Sequence, residues 1–101
     1  MPRNFVFWMT PSMKCIEVAV INKLGMHARA SAKLVSLASS FESAITVTRD
    51  GRSVNGKSIM GIMMLAAGQG TTLKICAEGP DEGEASQALC RLIEQRFGEQ
   101  A

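Results

Sequence analysis

Apolar and polar positions along this chain repeat at two different periods, and the switches between them mark out the elements. From Lys14 to Ile21, Ile16, Val18 and Val20 alternate with Cys15, Glu17 and Ala19. A period of two rich in β-branched residues reads as a half-buried strand. Asn22-Lys23-Leu24-Gly25 breaks the pattern with turn residues. The period then changes. Ala30, Leu34, Leu37, Ala38 and Phe41 share one stripe at helical spacing, which predicts a helix over 28–40, with Arg29, Ser31, Lys33, Ser36, Ser39 and Ser40 off the stripe. Alternation returns over 44–49, with Ile45 and Val47 inward. Asp50-Gly51 is a strong hairpin signal, so Arg52-Ser53-Val54 is expected as a short return strand at a sheet edge.

Asn55-Gly56 is a further turn. Ser58 is a good N-cap for a short helix over 58–67, whose run Ile59-Met60-Gly61-Ile62-Met63-Met64-Leu65 is apolar nearly all round. Gly61 inside it costs roughly 1 kcal/mol against alanine, so a local reason for it is expected. Gly68 is expected to end this helix. Residues 71–78 alternate again, with Leu73, Ile75 and Ala77 on one face, and Gly79-Pro80 stops them. Asp81 and Glu84 are spaced as a capping box ahead of a final helix carrying Ala85, Ala88, Leu89, Leu92 and Ile93 inward and ending at Gly98. The order β-α-β-β-α-β-α predicts an α+β fold, an open-faced β-sandwich whose four-stranded sheet is covered on one face by three helices. Residues 1–13, with two prolines and no clear period, are expected to be a disordered extension or a start assigned too far upstream. Residues 14–101 are then one domain.

Composition narrows the function classes. A net charge of +2 is too small to argue for nucleic acid. Its distribution says more: residues 1–57 carry eight Lys/Arg against three Asp/Glu, and residues 58–101 three against six. The basic half suits an anionic ligand or an acidic partner. The three cysteines, Cys15, Cys76 and Cys90, lack C-x-x-C spacing, and with one histidine they assemble no zinc-ligand set. They read as reduced, mostly buried thiols of a cytoplasmic protein. No stretch approaches the roughly 18 apolar residues of a membrane span.

That one histidine, His27, stands at the predicted helix start, with Gly25 before it and Arg29 after it. The positive end of a helix dipole favours a neutral, nucleophilic ring, and free N–H groups of a first turn bind anionic oxygens. Arg29 adds planar donors suited to phosphate. A phosphoryl group could be held on His27 in such a place. The plainer reading is a capping residue without chemistry, with Gly25 serving backbone geometry and Arg29 solvated. Ser58 has the same two readings: a cap alone, or a cap that is also phosphorylated. Ile59, Met60 and Met63 read either as core or as an exposed, adaptable docking patch.

Leu24-Gly25-Met26-His27-Ala28-Arg29 resembles the active-site motif of the HPr family, the histidine-containing phosphocarriers of the bacterial phosphoenolpyruvate-dependent phosphotransferase system. Asn55-Gly56-Lys57-Ser58-Ile59-Met60-Gly61 resembles the family's regulatory-serine segment. Asp50-Gly51, Gly79 and the element order fit as well, and the resemblance covers residues 14–98. It implies that His27 takes phosphate from phospho-enzyme I and passes it to a IIA-type domain, with Arg29 steadying the phosphate and no cofactor. It further implies that Ser58 is the target of an HPr kinase/phosphorylase, that Ile59, Met60 and Met63 dock partners, and that the protein is a monomer. Where the family usually has proline after the arginine, this chain has Ala30 and so resembles variants seen in proteobacteria, for which a regulatory branch of the phosphotransferase system is an alternative to sugar uptake. A competing reading is a regulatory interaction module that binds kinases or transcription factors without passing phosphate on.

Overall fold

The first alternating run forms strand β1 (Lys14–Ala19) in a computed structural model that describes residues 13–101. Helix α1 (Ala28–Ser39), strands β2 (Ala44–Arg49) and β3 (Arg52–Asn55), helix α2 (Ile59–Met64), strand β4 (Thr72–Glu78) and helix α3 (Glu82–Glu94) follow, and a 3-10 turn at Arg96–Gly98 closes the chain. The expectation for residues 1–13 falls, but for Met13, outside the described residues. The sheet order is β1-β4-β2-β3 and every pairing is antiparallel. β2 and β3 meet through the two-residue turn Asp50-Gly51, whose φ values of 49° and 80° are those a tight hairpin demands.

One face of the sheet supplies Val18, Ile45, Val47, Leu73, Ile75 and Ala77 to a single core, completed by Ala30, Leu34 and Ala38 of α1, Ile62 of α2, and Ala85, Leu89 and Ile93 of α3. The other face is open. The four-stranded, helix-covered sheet is the architecture the periodicity predicts, and Arg52–Asn55 lies at its edge.

Several element ends, and one cap, differ from the sequence reading. Helix α2 stops at Met64, not near Ala67. Leu65 and Ala67 are drawn into the core, and Ala66, not Gly68, takes the left-handed turn at φ 51°. Arg49 secures it by donating from Nη1 to the carbonyls of Leu65 and Ala66 at 2.7 and 2.9 Å, so a strand residue caps the helix. Gly61 has the local reason expected of it: a Cβ there would sit 3.2 Å from Cβ of Val54 on β3.

The capping box does not form. Asp81 precedes α3 but turns its carboxylate away, accepting from the backbone N–H groups of Glu42 and Ser43, both at 2.9 Å, and from Ser43 Oγ at 2.5 Å. It ties the start of α3 to the entry of β2. The Ser43 hydroxyl, then the Glu42 N–H, hold its carboxyl below the usual carboxylate range. A carboxyl depressed on folding stabilises the native state above its ordinary pKa, and that contribution is lost as pH falls through the folded value. Asp81→Asn is therefore expected to lower the melting temperature near neutrality and to flatten its fall below about pH 4. Melting curves of both proteins across the acid range would check this; parallel acid limbs would count against it.

Helix α3 ends at Glu94, four residues short of Gly98. Arg96 and Phe97 adopt φ 56° and 55°, conformations costing on the order of 1 kcal/mol each. Phe97 is 1% exposed, and burying such a ring is worth about 1.5–3 kcal/mol. Lys33 Nζ also donates to the Phe97 carbonyl at 2.7 Å. Burial and this charge-assisted bond together outweigh the backbone cost.

The cysteine reading is corrected. Cys15 and Cys76 lie on the open face, not in the core, because both fall on the outward side of their strands' alternation. They stand directly opposite each other in the β1–β4 register and are joined as a disulfide. Among the described residues Cys90 alone is a free thiol, half-buried on α3.

Candidate functional site

The loop between β1 and α1 holds its shape through residues only partly legible as turn formers. Gly25 takes φ +66°, and a Cβ on it would fall 2.7 Å from the Ala67 carbonyl oxygen, so only glycine fits. The Met26 N–H donates to that same carbonyl at 2.8 Å, joining the loop to the segment after α2. Ser31, placed off the apolar stripe by its polarity, is instead fully buried and donates from Oγ to the Met26 carbonyl at 3.1 Å.

These contacts deliver His27 to the N-cap of α1 in extended backbone, φ −73° and ψ 178°. Its side chain caps nothing, so the plain capping reading fails in its simplest form. The N–H groups of Ala28, Arg29 and Ala30 in the first turn have no intrahelical acceptor.

The ring is held from the other end of the chain. His27 Nε2 lies 2.5 Å from Glu99 Oε2, and the other oxygen of that carboxylate accepts from Asn22 Nδ2 at 3.0 Å. Asn22 is fully buried and also donates to the Gly25 carbonyl at 2.9 Å, so loop and C-terminal segment share one amide. Hydrogen bonds, from Asn22 first and His27 second, hold the Glu99 carboxyl below its ordinary range. A carboxylate only accepts. In the neutral ring Nε2 therefore carries the proton and Nδ1 the lone pair, and Nδ1 makes no hydrogen bond to any described residue.

Lys23, Leu24, His27, Arg29, Glu99 and Ala101 line a shallow depression around the ring. Neither Lys23 nor Arg29 has an ion pair or hydrogen-bond partner among the described residues. Two cations without a partner among the described residues thus border the ring, beside a first helical turn whose N–H groups lack intrahelical acceptors. The described residues contain no group of three or more His, Cys, Asp or Glu able to hold a metal ion.

Of the sequence candidates, His27 and Arg29 come together here. Ser58 lies elsewhere, at the N-cap of α2, where its Oγ accepts from the Gly61 N–H at 3.1 Å. Ile62 faces the core, leaving Ile59, Met60 and Met63 exposed, together with Met64 and, on the His27 loop, Leu24. Sequence reasoning missed Glu99 and gave Asn22 only a turn role. No local signal marks either, since their partnership spans 77 residues.

Residues 14–95 match the PTS-HPr family model, described as the PTS HPr component phosphorylation site. The chain belongs to the HPr family of phosphocarrier proteins. It is 58% identical over 83 residues to phosphocarrier protein HPr of Cupriavidus necator, which spans 82% of this chain and 93% of that one. It is 51% identical over 88 residues to phosphocarrier protein HPr of Pseudomonas aeruginosa, covering 86% and 98%. Among solved structures, HPr-C-His from Thermoanaerobacter tengcongensis superposes with a TM-score of 0.85 at 50% identity, covering 87% of this chain and 99% of that one.

Proposed function

We propose that this protein is a cytoplasmic phosphocarrier that accepts a phosphoryl group on Nδ1 of His27 from phospho-enzyme I and passes it to a IIA-type domain. The observation that carries this reading is the Glu99–His27 contact, which occupies one ring nitrogen and leaves the other as the nucleophile.

The step follows from the geometry. The Nδ1 lone pair attacks phosphorus as the bond from phosphorus to the donor's nitrogen breaks. No proton need move, because Nε2 keeps its hydrogen. The phosphorylated ring is then cationic, and the Glu99 carboxylate faces that charge. Arg29 and Lys23 line the same depression as the ring and, with the N–H groups of the first helical turn, supply donors for the charge on the incoming oxygens. A phosphoryl group on a protonated ring leaves readily, which suits a carrier whose intermediate is its product. Glu99 acts through the ring and is a positioning residue.

Incubation with enzyme I, Mg²⁺ and phosphoenolpyruvate should add one acid-labile phosphate by intact mass. A folded protein that takes up none would overturn the reading. Onward loss of that phosphate to a IIA-type domain separates a carrier from an interaction module that merely displays it. Glu99→Gln should slow transfer about tenfold, a loss equivalent to about 1.4 kcal/mol, and should mix the two ring tautomers. Imidazole nitrogen chemical shifts measure the tautomer directly, and an unchanged tautomer would remove Glu99 from its role.

We further propose that Ser58 is the target of an HPr kinase/phosphorylase and that Ile59, Met60 and Met63 form the docking patch. Ser58 borders that exposed apolar surface, so a dianionic phosphate there would disfavour an acidic or apolar partner. Ser58→Asp is expected to slow transfer at His27 several-fold through a raised KM for enzyme I. A protein that the kinase leaves unmodified would make Ser58 a cap alone, and an unchanged KM in the phosphorylated protein would mean that phosphate there does not act on docking.

A further inference from the structure

The helix-covered face of the sheet is accounted for by the core and the site. The open face carries a feature that phosphoryl transfer does not use. Outward positions Cys15, Glu17 and Ala19 on β1 stand opposite Cys76, Lys74 and Thr72 on β4. Thr46 of β2 flanks Cys76 on its other side. Among the described residues no helix lies over these positions. Cys15 is exposed and Cys76 half-buried, so the disulfide between them meets solvent along one side.

We propose that Cys15 and Cys76 are a reversible dithiol/disulfide site, opened and closed by small thiols and disulfides of the glutathione class. Three observations carry it. The register sets the two cysteines directly opposite each other, so closure needs no change in strand pairing. The open face gives a small thiol access to sulfur, the condition under which disulfides are labile rather than permanent. The third cysteine does not compete: Cys90 lies on α3, away from the open face, and burial first and the neighbouring Glu94 second push its thiol above the ordinary range, which disfavours thiolate. The inference is independent of the phosphocarrier reading except in the compartment. In a reducing cytoplasm a surface disulfide is transient and redox-responsive.

The chemistry balances as two exchanges. A Cys thiolate attacks a glutathione disulfide, forming a mixed disulfide and releasing one glutathione thiolate. The second Cys thiolate attacks the protein-bound sulfur of that mixed disulfide, closing the Cys15–Cys76 bond and releasing the second. Two protein thiols are oxidised and one small disulfide is reduced to two thiols. Reduced glutathione drives the reverse.

Closure staples β1, paired among the described residues with β4 alone, across a sequence separation of 61 residues. Constraining so long a loop should raise the melting temperature of the oxidised form by roughly 10 °C or more. The folded protein would be equilibrated in glutathione buffers from fully reduced to fully oxidised, quenched, alkylated under denaturing conditions and weighed. The expected result is interconversion between a species with three alkylated cysteines and a monomeric species with one, lighter before alkylation by two hydrogens. Melting points should move with it, and both changes should vanish in Cys15→Ser and in Cys76→Ser. Three alkylated cysteines in oxidised glutathione would overturn the proposal. So would a bond that persists in excess reduced glutathione, or an oxidised species that survives in Cys15→Ser.

Discussion

His27→Ala is expected to fold normally and to take up no phosphate from phospho-enzyme I. The ring is partly exposed, caps no backbone group and contributes nothing to the core. The loop carrying it is fixed by other bonds, from Met26 N–H to Ala67 O, from Ser31 Oγ to Met26 O and from Asn22 to Gly25 O. Glu99 loses one partner and keeps Asn22. The effect on phosphate uptake is complete because no other side chain around the depression offers an uncharged nitrogen lone pair. Intact mass after incubation with enzyme I and phosphoenolpyruvate measures it, and a melting curve confirms the fold. Undiminished labelling of the alanine variant would place the phosphate elsewhere in the chain.

Phe97→Ala is expected to show the largest loss of stability of any single substitution considered, about 3–5 kcal/mol. For a domain of this size that is a fall in melting temperature of roughly 15 °C or more. Phe97 is among the largest fully buried side chains, and its ring is what justifies the left-handed backbone at Arg96 and Phe97 itself. Without it the turn at Arg96–Gly98 loses its anchor, Lys33 loses a fixed carbonyl, and Glu99 leaves His27. Transfer should therefore slow along with the loss of stability, even at temperatures where the variant remains folded. Phe97→Leu, which keeps most of the buried volume, should restore much of both. A Phe97→Ala protein that melts within a few degrees of the parent would mean the ring is not the anchor.

What the chain disclosed about itself divides along the range of its interactions. The strands and α1 were legible because their patterns are local: alternation at 16, 18 and 20 or at 73, 75 and 77, and the stripe from Ala30 to Ala38. Asp50-Gly51 was legible because a two-residue turn carries its own conformational demand. The ends of α2 and α3 were not, because distant residues decide them. Arg49 caps the first, and the buried Phe97 bends the chain beyond the second. Asp81 and Glu84 have capping-box spacing, yet Ser43 and Glu42 outcompete the box for the Asp81 carboxylate. Polarity misled at Ser31, which satisfies a carbonyl inside the core. At the site, His27 and Arg29 were visible as a motif in a first turn. Glu99, the group that decides which ring nitrogen is free, was not, since only the folded chain brings it within reach. The cysteines failed for a related reason: their sequence spacing says nothing, whereas the β1–β4 register places them face to face.

The 72 residues that separate His27 from Glu99 have a consequence for synthesis. During translation His27 emerges well before Glu99, together with Arg29 and the start of α1. The carboxylate that fixes its tautomer is made 72 residues later, and it reaches the ring only once Phe97 is packed. Until Glu99 has been made and has packed, a nascent chain displays the histidine without the group that orients it, so on the proposed reading competence to receive phosphate reports that the stretch from His27 to Glu99 has folded.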